Sequence, residues 1–202
     1  MRRTLLLRER PRPFVCAVLL VSWSCAQGPN QATATKSVRP DYDDVTGRLT
    51  KLTYDSNGDG VEDTWGYMDG ARVIRVESDQ NGDGAVDRWE FHHVPDASRD
   101  SGERRNASSS VERVERSTFY DGHVSRREFY DAGILGRVEE DTNGDGQVDK
   151  WETYAGGSLA LVALDTVGRG TPDRRLIYRP DGSFERIEID PEGSGSFRPM
   201  TP

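Results

Sequence analysis

Residues 79–90, DQNGDGAVDRWE, bring four carboxylates, one asparagine and two glycines together within twelve positions. The stretch is not alone. DSNGDGVEDTWG begins at Asp55, DTNGDGQVDKWE at Asp141, the altered copy DTVGRGTPDRRL at Asp165, and a remnant, DPEGSG, at Asp190. Separations of 24 residues from Asp55 to Asp79, 24 from Asp141 to Asp165 and 25 from Asp165 to Asp190 define a repeat protein. The residues before each stretch repeat too. Leu52, Val76, Val138, Val162 and Ile187 stand three positions upstream, and Leu49, Val73, Leu135, Leu159 and Phe184 six upstream. Gly47, Gly133, Gly157 and Gly182 mark a turn eight upstream, with Gly70 one place earlier in its copy.

The period decides between helix and strand. A twelve-residue loop taken from a 24-residue unit leaves 12 positions for both flanks and a turn, whereas two packed helices would each need about 10 to 12 residues. Two strands of about five or six residues fit. Val73, Ile74, Val76, Trp89 and Phe91 favour strands, and the Asp69-Gly70 turn bounds them. The two-residue alternation then puts Trp65 with Tyr67, and Trp89 with Phe91, on one face. The fold expected is all-β: repeated hairpins in an antiparallel meander, closing as an open sheet, a solenoid or a propeller, with the acidic loops along one edge. The tryptophans read as sheet-face residues rather than as a ligand-stacking platform.

The flanks divide the chain further. Arg2, Arg3, Arg8, Arg10 and Arg12 precede a short apolar run from Phe14 to Trp23, and small residues surround Cys25. This is the order of an export signal, and the run is too short to span a membrane as a helix. VSWSC resembles a bacterial lipoprotein signal, which implies a lipid anchor on Cys25 and a signal peptide at 1–24, although Ser22 and Trp23 depart from the usual pattern. Ordinary cleavage after Ala26 is the alternative, and Arg2-Arg3 followed by Leu5-Leu6 weakly resembles a twin-arginine signal. Residues 25–45 read as a linker, 46–190 as the repeat domain, 94–117 as a polar insertion and 191–202 as a tail. The segment FYDGHVSRREFYDAGILGRVEED resumes the hairpin rhythm without a metal loop and resembles the YD repeats of bacterial surface proteins.

The whole chain carries a formal charge of -8, and cutting before Cys25 leaves 22 basic and 34 acidic residues. That balance argues against a nucleic-acid partner. Cys16 and Cys25 are the two cysteines, so the exported part has no disulfide to brace it. His92 and His93 are adjacent and point to opposite faces of a strand, no cysteine accompanies them, and no nucleophile and base constellation is visible. The sequence therefore reads as a non-enzyme.

What the acidic loops suit is a hard cation. Calcium takes six to eight oxygens, which a curled loop supplies from side chains at positions 1, 3, 5, 9 and 12 and from the carbonyl at position 7, with glycine at position 6. The second loop offers Asp79, Asn81, Asp83, Asp87, Glu90 and the Ala85 carbonyl; the third offers Asp141, Asn143, Asp145, Asp149, Glu152 and the Gln147 carbonyl. The first keeps Asp55, Asn57, Asp59, Asp63 and the Val61 carbonyl but has Gly66 at position 12. In the fourth, Val167 and Arg169 replace two ligands, so that loop reads as metal-free. The second loop resembles an EF-hand loop, and the shared DxNxDGxxD core also resembles dockerins, thrombospondin type 3 repeats and the strand-flanked FG-GAP repeats. The resemblance implies Ca2+ as the bound ion. Acidic NGDG turns that need no metal are the competing reading. The expected function is calcium binding with a mainly structural role, in a protein exported to the cell envelope. The alternatives are a calcium-dependent module for a protein or glycan partner, and a hydrolase with structural calcium.

Overall fold

A computed structural model describes residues 38–93 and 110–200. They form thirteen strands: β1 (Val38–Tyr42), β2 (Leu49–Tyr54), β3 (Thr64–Asp69), β4 (Arg72–Ser78), β5 (Arg88–His92), β6 (Val111–Arg116), β7 (Arg126–Asp131), β8 (Ile134–Glu140), β9 (Lys150–Ala155), β10 (Ser158–Leu164), β11 (Arg174–Tyr178), β12 (Phe184–Ile189) and β13 (Arg198–Pro199). Every strand pairs antiparallel with its sequence neighbours, in the order β1 to β13, as one open sheet. There is no helix among the described residues. Alternate connections of such a meander must fall on the same edge, so one edge carries the acidic loops and the other carries the short turns. At 132–133 and 156–157 both turn residues have positive φ (Ala132 47°, Gly133 80°; Gly156 58°, Gly157 83°). This is the turn whose twist matches paired strands.

Register assigns the side chains to two faces. On one, successive partners across the sheet run Val76, Glu90, Val114, Glu128, Val138, Glu152, Val162. Val114 and Val138 are 2% and 0% exposed and are the most buried apolar side chains of the sheet. Glu128 is buried between Val114 and Val138, and Glu152 between Val138 and Val162. On the other face the partners run Trp65, Glu77, Trp89, Glu115, Arg127, Glu139, Trp151. The adjacent row there stacks arginine on aromatic rings: Arg75 lies 4.3 Å from the Tyr67 centroid, Arg113 4.3 Å from Phe91 and Arg137 4.0 Å from Phe129. The expected pairing of Trp65 with Tyr67 and of Trp89 with Phe91 on one face is observed. Ion pairs and cation-π contacts interleave with a thin apolar row, which explains how a chain of only 34% hydrophobic residues builds so long a sheet.

Three predicted boundaries shift. β1 lies within the segment read as a linker (25–45), and β13 within the predicted tail (191–202). β1 is VRPDY with all five residues exposed, so it joins through backbone pairing and shows no apolar alternation. β6 occupies 111–116 of the predicted insertion 94–117. Its sequence, VERVER, carries charges toward both faces, and only Val114 is buried. The rest of that insertion from 94 to 109, the expected signal peptide at 1–24 and Cys25 lie outside the described residues.

Candidate metal centre

Five connections on one edge share a nine-residue frame, 55–63, 79–87, 117–125, 141–149 and 165–173, and the stretch from Asp190 is a variant one residue shorter in which Asp190 accepts the amides of Ser194 and Gly195. Each first residue donates its amide to the ninth carbonyl of the loop before it. These bonds run Asp79 to Asp63 at 2.9 Å, Ser117 to Asp87 at 2.8 Å, Asp141 to Ser125 at 2.7 Å, Asp165 to Asp149 at 2.8 Å and Asp190 to Asp173 at 2.8 Å. The strand ladder thus continues one rung into the loops and buries polar residues there. Asp55, Asp63, Asp87, Ser117, Ser125, Asp141, Asp165, Asp173 and Asp190 are all buried. With strands about 4.8 Å apart, the loops recur about every 9.6 Å along the edge.

The first aspartate curls its own loop. Asp79 accepts the amides of Gly82 and Gly84, both at 2.7 Å. Asp55 does the same with Gly58 (2.6 Å) and Gly60 (2.9 Å), and Asp141 with Gly144 (2.7 Å) and Gly146 (2.8 Å). Asp165, in the loop lacking Asn and Asp at positions 3 and 5, holds Gly168 (2.8 Å) and Gly170 (2.6 Å) the same way. Burial pushes the Asp165 carboxyl up, and the amides of Gly170, Val167 and Gly168 outweigh it, leaving the group below the usual aspartate range. These glycines have positive φ, 79° at Gly82 and 91° at Gly84. The loop 117–125 follows the same path with Tyr120 (φ 57°) and Gly122 (78°). It is a further copy of the frame, read in the sequence only as hairpin rhythm.

The ninth residue is a clasp. Asp63 accepts the Ser56 amide at 3.1 Å and its hydroxyl at 2.8 Å. Asp149 takes the Thr142 amide (3.0 Å) and hydroxyl (2.9 and 3.0 Å), and Asp173 takes those of Thr166 at 3.1, 3.0 and 2.9 Å. In the loop without carboxylates at positions 1 and 9, the Ser125 and Thr118 hydroxyls meet at 2.6 Å. The clasp therefore belongs to the frame, with or without a metal.

Positions 3 and 5 behave differently. Asn57 accepts the Asp59 amide and Asp59 the Val61 amide, both at 2.8 Å. Asn81 takes Asp83 at 2.9 Å, Asp83 takes Ala85 at 2.8 Å, Asn143 takes Asp145 at 2.9 Å and Asp145 takes Gln147 at 2.8 Å. The Ala85 amide and then the Asn81 side chain hold the Asp83 carboxyl below its ordinary value. All of these acidic and amide side chains are exposed. In the fourth loop Arg169 does not stay over its own loop; its Nη2 donates to the Pro191 carbonyl of the next one at 2.9 Å.

Position 12 lies in the strand after each loop. Glu90 pairs with Arg88, and with His92 at 2.9 Å. Glu152 accepts Lys150 Nζ at 2.7 Å and the Tyr154 hydroxyl at 2.7 Å. Glu128 stands at the same position after the loop 117–125, which has no calcium ligand set. It takes Arg126 Nε at 2.9 Å, Arg116 Nε at 3.3 Å and the Tyr130 hydroxyl at 2.9 Å. The pattern cation-x-Glu-x-Tyr/His is thus a sheet-face device that recurs regardless of the loop. Glu90 and Glu152, predicted as ligands, are placed in that device. Burial would raise the Glu128 and Glu152 carboxyls, and the adjacent Arg126 and Lys150 with the tyrosine hydroxyls more than offset it, so both sit below the ordinary range. Burial and then the Glu152 carboxylate push the Tyr154 hydroxyl up to about 12.

The structure therefore brings positions 1, 3, 5, 7 and 9 of each acidic loop into one curled segment and sends position 12 to the sheet face. Among the described residues no group of three or more His, Cys, Asp or Glu side chains is arranged to hold a metal ion. The donor sets at the loops mix aspartate with asparagine and backbone oxygens, and the aspartates here accept loop amides. No protein-family model matches the chain, and no curated protein matches it either.

Proposed function

We propose that this is an exported calcium-binding β-repeat protein whose acidic loop edge takes Ca2+ mainly in a structural role. One observation carries the reading. The loop from Asp165 keeps the same frame without the Asn-x-Asp pair at positions 3 and 5. Folding therefore does not require Asn57 and Asp59, Asn81 and Asp83, or Asn143 and Asp145, and their recurrence as exposed oxygen donors suits a hard cation. Residues that would hold it are the aspartates at positions 1 and 5, the asparagine at 3 and the carbonyls of Val61, Ala85 and Gln147. Calcium supplies a positive charge that offsets the mutual repulsion of these oxygens. At a dissociation constant of about 0.1 mM, millimolar calcium stabilises the fold by about 1.4 kcal/mol per site.

Export and a lipid anchor at Cys25 complete the proposal, with the sheet displayed at the cell envelope and a protein or glycan partner as its biological target. Replacing Cys25 by alanine releases the protein from the membrane fraction of a bacterial host on this reading. For the metal, the melting temperature is compared in chelator and in millimolar calcium. A rise is expected, reduced by Asp83→Ala or Asp145→Ala with little change in chelator. Identical melting in both buffers, with no heat of calcium binding, leaves the loops as acidic turns and removes the proposal.

A further inference from the structure

The three acidic loops differ at one buried atom. In 55–63 and 141–149 the ninth aspartate is clasped by a hydroxyl at position 2, from Ser56 or Thr142. In 79–87 position 2 is Gln80, which offers Asp87 only its amide, at 3.0 Å to Oδ2. Asp87 is 1% exposed, yet its Oδ1 has no hydrogen-bond partner. A buried carboxylate oxygen without a donor is costly, and folded proteins rarely leave one. Its sister oxygen bonds the second residue of the same loop, so the carboxylate is directed at the segment that carries Asp79, Asn81 and Asp83.

We infer that the loop 79–87 is the leading cation site of the edge, with Asp87 Oδ1 as an additional ligand that the other two acidic loops keep locked in their clasps. The inference rests on the calcium reading above and sharpens it. The acidic loops are unequal, and the inequality is set by residue 2 rather than by the ligand pattern they share. A hydroxyl that donates to a charged oxygen must be displaced before that oxygen can serve a metal. Freeing or locking the ninth carboxylate therefore changes affinity on the order of tenfold.

The test uses the full chain and calcium chloride alone, followed by calorimetric titration and by melting in chelator. Gln80→Thr supplies the missing clasp at an exposed position. It is expected to raise the melting temperature in chelator and to weaken the tightest calcium site about tenfold. Thr142→Gln, the reverse change, is expected to lower melting in chelator and to tighten the site at 141–149 by a similar factor. Calcium binding by the wild type that neither substitution alters overturns the inference and leaves the calcium reading intact. No calcium binding by the wild type removes both.

Discussion

The loops 141–149 and 165–173 are neighbours on the sheet edge and follow one path, yet only the first keeps Asn143 and Asp145. Both hold two glycine amides on the first aspartate, and both clasp a threonine hydroxyl on the ninth. Where the first presents a carboxylate to solvent, the second sends Arg169 across to Pro191. The difference separates two jobs that one motif superimposes. Positions 1, 6 and 9 shape the loop in both, whereas the amide bonds that Asn143 and Asp145 accept in the first are dispensable to the path, since the second lacks them. The loop 117–125 extends the lesson to position 12, because Glu128 persists where the calcium pattern is absent.

The strongest way to break that separation is at Glu128. Glu128→Ala removes the carboxylate that Arg116 pairs with and one of the three that surround Arg126, which keeps Glu140 and Glu152, and a loss of about 3 kcal/mol is expected, roughly 6 to 12 °C in melting temperature. The loss should be the same in chelator and in calcium, and Glu152→Ala should behave alike. A deficit for Glu152→Ala that appears only in calcium would return position 12 to the metal. The acid limb of the stability curve reports the same groups. Both carboxyls titrate lower in the folded protein than their ordinary 4.5. Their contribution is complete above that value and is lost as pH falls through the lowered folded values. The two substitutions should flatten that limb.

Next in size are the first aspartates. Asp141→Ala and Asp165→Ala each strand two glycine amides and should cost about 2 kcal/mol in chelator, measured by urea unfolding. A much larger cost at Asp141 in the absence of metal would mean that the two frames are not equivalent. Smaller again is the converse experiment. Val167→Asn combined with Arg169→Asp restores the missing pair in the fourth loop and should add one calcium site, worth about 1.4 kcal/mol in millimolar calcium. The smallest effect is expected from Tyr154→Phe, about 1 kcal/mol near neutral pH. The wild-type hydroxyl keeps its proton to about 12 when folded against 10 otherwise. The stability it supplies is present below 10 and disappears between those values, and the variant should lose that alkaline transition.

The strands and the common edge were legible because a 24-residue unit has room for little else, and because the Leu and Val positions fell three and six residues before each loop. The loop 117–125 was not legible as a copy of the frame. Of the pattern it retains Asp121 and Gly122, and Tyr120 adopts the left-handed conformation where the other copies use glycine. β6 hid among charges that face both sides of the sheet. Position 12 is ambiguous for a deeper reason: an EF-hand loop and a strand that buries cation-x-Glu-x-Tyr/His both require glutamate there, and a single copy cannot separate them. The signal was present in the comparison of RWEFH, RREFY and KWETY, since the middle one follows a loop that keeps only Asp121 of the acidic and asparagine positions. The distinction at Asp87 depends on Gln80 standing where the other four nine-residue copies have serine or threonine. That substitution is visible in sequence, but its meaning requires knowing that residues 2 and 9 touch.

Among the described residues, strand contacts run only between neighbours in the chain. Such a sheet couples like a row of dominoes rather than like a packed core: each hairpin is stabilised by the one before and the one after, and by little else. Closing such contacts needs only short loops, which favours rapid local zipping during folding. Fraying should begin at β1 and at the two-residue β13, and hydrogen-exchange protection should rise toward β6 to β10, where Val114, Val138 and Val162 lie. An ion at one loop would therefore stiffen its two flanking hairpins and scarcely be felt at the far end. Duplicating one 24-residue unit would lengthen the row by a rung without asking any other residue to change.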